Sequence, residues 1–148
     1  MEFKNAYMIS TENQLIEPGG YLILQVMNPL ESLKTAYLIG IISNGLCQQL
    51  KLTLMSESLV LAFAKPLEPQ PLKDHPLSAN LICQYYIHSD NPIMGGLVIG
   101  TLTGTAGQLN TNLQGRIKIE PGKMILLYVV NPTPHRTFFD INLAWFED

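Results

Sequence analysis

The sequence predicts an all-β protein, an antiparallel β-sandwich that is jelly-roll-like, with about nine or ten strands in one domain at residues 1–148. Three observations predict this fold class. Apolar residues alternate along the chain instead of recurring every three or four positions, as they would in a helix. Turn signals rich in Gly, Pro and Asn separate short apolar runs at intervals of roughly 8–15 residues. A unit of turn, strand, turn and strand also occurs twice.

The repeated unit lies at both ends of the chain. Residues 16–30 (IEPGGYLILQVMNPL) match residues 119–133 (IEPGKMILLYVVNPT) with eight of fifteen positions identical, and after a one-residue slip residues 34–39 match 136–141. In each copy Pro-Gly predicts a tight turn, because proline fixes φ and glycine accepts a positive φ. Asn-Pro then ends the strand, because proline cannot donate to a sheet. Each copy is therefore predicted to be a hairpin, with strands at 21–27 and 35–43 in the first copy and at 124–130 and 137–146 in the second.

The middle of the chain predicts further strands between loops. Residues 49–64 alternate in hydropathy and are expected to form a hairpin of their own. Residues 65–79 carry four prolines and predict a stiff, extended surface loop. Strands are expected at 80–88, 97–103 and 116–119. The remaining segments, 89–96 and 104–115, are expected to be a turn and a loop.

Charge and composition narrow the classes of partner. The net charge is −3 and charged residues make up 14% of the chain, against about 25% in ordinary soluble proteins. The few basic residues are scattered, which excludes a nucleic-acid surface. No apolar run approaches 18 residues, so no membrane span is predicted. The first residues lack the pattern of a signal peptide. We therefore expect synthesis in the cytoplasm, followed by incorporation into a spore surface or another particle.

No recognisable reaction centre accompanies these strands. His75, His88 and His135 have no metal-ligand spacing, and the glycine-rich segment 95–107 lacks the Gly-Lys-Ser/Thr of a phosphate loop. Neither a nucleophile elbow nor a catalytic cysteine setting is present. We predict a protein that is not an enzyme and that has no cofactor and no metal. A cupin-like metal site built from distant residues is the alternative.

The two cysteines predict buried thiols. Cys47 and Cys83 are 36 residues apart, which fits neither a disulfide scaffold nor a zinc site. The alternative is a disulfide, within the molecule or between subunits.

The repeated strands are apolar on both faces, although an antiparallel strand usually keeps one face in water. The outer face must then be covered, either by the proline-rich loop or by a neighbouring subunit, and we favour the subunit. The candidate interface residues are Tyr21, Ile23, Met124, Leu126, Tyr128, Phe138, Trp145 and Phe146. The predicted function is accordingly a structural subunit that assembles into a homo-oligomer or a larger spore-surface, fibre or particle component.

A binding module is the alternative function. Its ligand would be a glycan or another protein, held by the loops at 65–79 and 104–115. Trp145 would be the aromatic platform for a sugar, although a core or interface role is favoured for it.

Several short motifs resemble a protein family. They are Asn28-Pro29-x-x-Ser32 followed by Tyr37, then Ser43-Asn44, Gly95-Gly96, Pro121-Gly122 and the closing Ala144-Trp145-Phe146-Glu147. Together they resemble a family of small proteins from spore-forming Firmicutes that is known as a domain of unknown function. That family ends in Gly-Trp-Trp-Glu, where this chain has Ala144 and Phe146. The resemblance implies a β-sandwich without known catalysis that is tied to spore surfaces.

Overall fold

A computed structural model describes residues 5–72 and 78–148, and these residues contain strands, turns and loops but no helix. The prolines, glycines and Asn-Pro pairs of the sequence divide the chain into short extended segments. The strands, in chain order, are β1 (Ala6–Ser10), β2 (Gln14–Ile16), β3 (Tyr21–Met27), β4 (Ala36–Gly45), β5 (Gln49–Ser56), β6 (Leu59–Val60), β7 (Lys65–Leu67), β8 (Gln70–Pro71), β9 (Ile82–His88), β10 (Ile93–Met94), β11 (Leu97–Thr105), β12 (Gln108–Ile119), β13 (Met124–Val130) and β14 (Thr137–Glu147).

Twelve strands form one antiparallel sheet. Eleven of them follow the order β7-β9-β3-β13-β5-β11-β12-β4-β14-β1-β8, and β2 pairs with β14 beside this path. The remaining two, β6 and β10, pair with each other. The predicted all-β class is confirmed. The sandwich and jelly-roll details stay predictions.

The sheet curls around one apolar core. Within residues 5–72 and 78–148, the strands of its two halves pair with each other only at the tip of the β11–β12 hairpin, where Thr105 pairs with Gln108 and the two strands then diverge. Completely buried side chains from both halves nevertheless pack in a single cluster. Those from β3, β5 and β13 include Leu24, Leu52 and Leu127, and those from β4 and β14 include Leu38, Ile41 and Trp145.

The two copies of the repeat are related by an approximate two-fold axis. Leu24 and Leu127 hold the same position in the two copies, and they face each other in the β3–β13 ladder. Ile41 and Leu143 also hold equivalent positions, and they face each other in the β4–β14 ladder. An antiparallel ladder that pairs equivalent residues has a local two-fold axis at that pair. The axis therefore passes through the Leu24–Leu127 and Ile41–Leu143 pairs, with the core between them.

The repeated turns confirm the predicted role of their glycines. Gly19 has a φ of 73° and Gly122 has a φ of 82°. Each turn is held by the other copy, because the N–H of Gly122 donates to the carbonyl of Asn28 at 2.8 Å and the N–H of Gly19 donates to that of Asn131 at 2.9 Å. Each Pro-Gly turn is thus hydrogen-bonded to the Asn-Pro end of the partner strand in the other copy.

Two predictions about strand pairing and one about a loop were wrong. Within the repeats, β3 does not pair with β4, and β13 does not pair with β14; each strand pairs instead with its counterpart in the other copy. The 49–64 segment is not a hairpin either, since β5 pairs with β11 and β13 while β6 pairs with β10. Residues 104–115, expected to be a loop, belong mainly to the β11–β12 hairpin. In the first two, alternation identified extended chain but not its neighbour in the sheet. In the third, the Gly-rich and Asn-rich sequence hid the strands.

Candidate interaction surface

The outer face of the repeated strands is covered by the chain itself. Ile23 and Leu126 are completely buried and form a second apolar cluster with Tyr86. Side chains at 60, 62 and 93, in the β6–β10 pair and the loop beside it, pack against this cluster. We call this segment, residues 59–63 and 92–94, the flap. The cover is therefore the flap, and neither the proline-rich loop nor a neighbouring subunit is needed over Ile23 and Leu126.

Three other interface candidates on this face lie at its margin. Tyr21, Met124 and Tyr128 are half-buried against the same cluster. The rings of Tyr21 and Tyr128 have centroids 5.6 Å apart and are tilted by 33°. Desolvation, and to a smaller extent the neighbouring Tyr128, raises the pKa of Tyr21. The two rings border a groove of about 280 Å³ that Lys51 and Thr53 also line.

The aromatic residues of β14 are divided between core and surface. Trp145 is completely buried and stacks on Tyr7 at 5.9 Å, so it presents no platform to a sugar and no surface to a partner. Phe146 is half-buried and stacks on Tyr37 at 4.9 Å. Phe138 is 49% exposed and lines a separate groove of about 320 Å³ between the β4–β5 and β11–β12 turns. Of the β14 candidates, only Phe138 offers a large exposed surface.

A buried carboxylate lies beside Trp145. The indole N–H donates to Oε2 of Glu147 at 2.9 Å, and the backbone N–H of Asn80 donates to the same carboxylate at 2.8 Å from Oε1. Glu147 is only 3% exposed. These donors replace the water that a buried carboxylate loses. Glu147 thereby connects the end of β14 to the start of the segment that leads into β9.

The cysteines are free thiols in this structure, and Cys83 is buried as predicted while Cys47 is only half-buried. Burial raises the pKa of Cys83 to about 12, and the charge of Glu147 adds to this. Burial also raises the pKa of Cys47. Neither thiol is therefore activated as a nucleophile at neutral pH.

Large exposed apolar side chains are concentrated on the flap and at the start of β11. We call this surface the apolar patch, and its side chains are 45–97% exposed: Leu59, Leu61, Phe63, Met94, Leu97, Val98 and Ile99. Leu59 and Met94 face each other in the β6–β10 pair. The hydroxyl of Ser58 donates to the carbonyl of Gly95 at 3.2 Å, which holds the flap beside the start of β11. The patch is thus built from two short segments of chain that this hydrogen bond joins.

The sequence-based interpretation missed this patch. Alternation predicts a hairpin strand at residues 59–64 and an ordinary strand at residues 97–103, and it gives neither a surface role. The available signal was a lack of charge, since residues 91–115 contain no Asp, Glu, Lys or Arg.

The described part of the chain holds no group of three or more His, Cys, Asp or Glu side chains arranged to bind a metal. His88 is the last residue of β9, and its Nδ1 accepts from the N–H of Asp90 at 3.1 Å. His75 lies outside the described residues. No helix within residues 5–72 and 78–148 is long and apolar enough to cross a membrane.

Comparisons of the chain with protein-family models, with curated proteins and with solved structures give no match. The resemblance to the spore-former family stays a prediction. The proposals below depend on the geometry of the molecule.

Proposed function

We propose that this protein is a non-enzymatic structural subunit that associates with copies of itself through the apolar patch. The observation that carries the proposal is the concentration of large exposed side chains in two short segments, at 59–63 and 94–99. Single exposed apolar residues are ordinary, but a contiguous apolar patch marks an interaction site. The patch replaces the repeated strands as the surface through which association occurs.

The patch is large enough for one stable interface. Its seven side chains, 45–97% exposed, equal roughly four to five fully exposed ones, which is on the order of 300–600 Å² of apolar area. A standard interface buries about 800 Å² per partner, and somewhat more than half of that area is apolar. The patch therefore supplies about the apolar area that one such interface requires.

The charge distribution favours a second copy over a charged partner. The chain has a net charge of −3, and residues 91–115 contain no charged side chain. Two copies that meet through this uncharged region bring no like charges into contact, whereas a basic or acidic partner finds nothing there to pair with.

Sedimentation over a concentration series tests the proposal. We expect a reversible dimer or larger assembly that Phe63→Ser weakens by removing an apolar side chain that is 97% exposed. Leu33→Ser is the matched control, because Leu33 is also 97% exposed but lies outside the patch. A chain that stays monomeric at high concentration, or equal weakening by both substitutions, contradicts the proposal.

A glycan-binding module is the second candidate function, and the groove beside Tyr21 and Tyr128 favours it. Two aromatic rings next to the Lys51 ammonium and the Thr53 hydroxyl combine a stacking surface with hydrogen-bond donors. We expect Tyr128→Ala to abolish binding on a glycan array while Phe138→Ala leaves it intact. Binding that survives Tyr128→Ala excludes this groove, and an array without any bound glycan excludes the candidate function.

The place of the assembly in a cell is a separate question. A position on a spore surface depends on the resemblance alone, whereas self-association through the apolar patch applies equally to a fibre or another particle. Immunogold labelling of intact spores distinguishes the first location from the others.

A further inference from the structure

The strand β11 has an open edge. On one side Leu97–Thr105 pairs with β5 along most of its length. On the other side its only strand partner within residues 5–72 and 78–148 is β12, which it meets at Thr105 alone. An open edge presents backbone N–H and C=O groups that another strand can pair with.

Three other edges of the sheet, those of β7, β8 and β12, carry features that hinder the pairing of an added strand. The path ends at β7 and β8, which carry Pro66 and Pro71, and proline has no N–H to offer to an added strand. The edge of β12 is interrupted by a register shift between Asn112 and Ile117, and it carries Arg116 and Lys118. Prolines, bulges and charges are the features by which proteins prevent unwanted edge pairing.

The edge of β11 has fewer of these guards. The strand contains neither proline nor a charged residue. Its one irregularity is a register shift between Val98 and Gly100, so the pairing is regular from Gly100 onward. The exposed side chains of Leu97, Val98 and Ile99, which belong to the apolar patch, lie at the start of this same strand. An unguarded edge and an apolar surface are therefore adjacent.

We propose that β11 pairs antiparallel with β11 of a second copy across a two-fold axis, which joins the two sheets into one. The inference rests on the proposed function and specifies its geometry. A second copy is the occupant that supplies both an unguarded, uncharged strand and a matching apolar patch. Since each copy offers one such edge, the contact is the same patch on both subunits and closes as a dimer. A larger particle would then be assembled from these dimers.

Hydrogen exchange measured above and below the dissociation concentration tests this pairing. We expect amides within residues 97–104 to gain protection as the dimer forms, because half of the backbone groups of an edge strand become hydrogen-bonded only when a strand is added. A dimer whose β11 amides exchange as fast as those of the monomer overturns the strand pairing and leaves the proposed function standing. A chain that never associates overturns both.

A substitution on the open edge of β11, outside the apolar patch, further distinguishes the strand pairing from association through the patch alone. Thr103→Glu introduces a negative charge opposite Lys51 of β5, which preserves pairing within the subunit. It also places on the open edge a charged side chain, which is one of the features by which proteins prevent edge pairing. We expect the dimer dissociation constant to rise about tenfold or more. Asn112→Glu, which adds the same charge to the edge of β12, is the control. Equal effects of the two variants, or no effect of Thr103→Glu, overturn the proposal.

Discussion

Asn28 and Asn131 hold the two copies of the repeat together in a reciprocal way. The Nδ2 of Asn28 donates to the carbonyl of Ile119 at 2.9 Å, and the Nδ2 of Asn131 donates to the carbonyl of Ile16 at 2.9 Å. Ile16 and Ile119 are the first residues of the two copies. Each asparagine side chain therefore bonds to the first residue of the other copy, and we call each of these two contacts a clamp. The internal two-fold axis relates one clamp to the other.

Replacing Asn131 by Ala is expected to destabilise the fold by about 2–4 kcal/mol. The substitution removes two donated hydrogen bonds, at 2.9 and 2.7 Å, from a side chain that is 1% exposed. A buried carbonyl left without a donor costs about 1–3 kcal/mol. Urea unfolding measures the change in the free energy of unfolding. Asn110→Ala, at an exposed position on β12, is the control, and a similar loss in both variants argues against the clamp.

The two clamps differ in one respect, which leads to a stabilising substitution. Oδ1 of Asn131 accepts from the hydroxyl of Thr133 at 2.8 Å, whereas Oδ1 of Asn28 is buried without a hydrogen-bond partner. Leu30 holds the position equivalent to Thr133 and is 80% exposed. Leu30→Thr is expected to add about 0.5–1.5 kcal/mol to the free energy of unfolding by supplying that hydroxyl. Leu30→Val is the control, because valine has the shape of threonine without the hydroxyl. An equal gain in the free energy of unfolding from valine would assign the effect to lost apolar exposure.

Sequence reasoning predicted the extended segments and the turns better than the pairing. The Pro18–Gly19 turn and the strand that follows it depend on neighbouring residues, so local chemistry was sufficient. The pairing of Leu24 with Leu127 depends on how the core closes, and alternation shows which face is buried but not which strand lies beside it.

The candidate surface was predicted only in part. Alternation could not show that the flap would bury Ile23 and Leu126, because the flap is distant in sequence from Leu126. For Trp145 the sequence favoured a core or interface role over a sugar platform. It is completely buried, so its place among the interface candidates was not supported.

Position 45 is occupied by glycine because the ring of Phe139 fills the space that a side chain there would need. A Cβ at position 45 would lie 2.2 Å from the ring of Phe139, and Phe139 is completely buried. Gly45→Ala is therefore expected to cost about 1–3 kcal/mol through overpacking. At Gly100 a Cβ would meet no atom within 4 Å, so Gly100→Ala is the matched control and should leave the free energy of unfolding nearly unchanged. Thermal unfolding of both variants checks the difference, and equal melting temperatures contradict it.

The buried Cys83 thiol predicts a loss of stability at high pH. Its pKa is about 12 in the folded protein, raised from 9.0 mainly by burial. The unfolded chain therefore releases the thiol proton at a lower pH than the folded chain does. The contribution of Cys83 to stability is complete below pH 9 and is lost progressively as the pH rises from there towards 12. Urea unfolding at pH 8 and pH 10 should show a smaller decrease for Cys83→Ala than for the unsubstituted protein, and identical decreases contradict the assignment.

The Glu147 carboxylate provides a final prediction, because the only Trp in the chain reports on it directly. Glu147→Gln keeps the size of the side chain but replaces one carboxylate oxygen by an NH₂ group, which accepts no hydrogen bond. Either the Trp145 indole N–H or the backbone N–H of Asn80 therefore loses the oxygen nearest to it. We expect a loss of about 1.5–3 kcal/mol, the range for hydrogen bonds to charged groups. The emission of Trp145 should also shift to longer wavelength as the end of β14 loosens and admits water. Glu120→Gln, at an exposed position, is the control and should leave the emission unchanged. An unaltered spectrum in Glu147→Gln, together with unaltered unfolding, would show that Glu147 does not hold this end of the sheet.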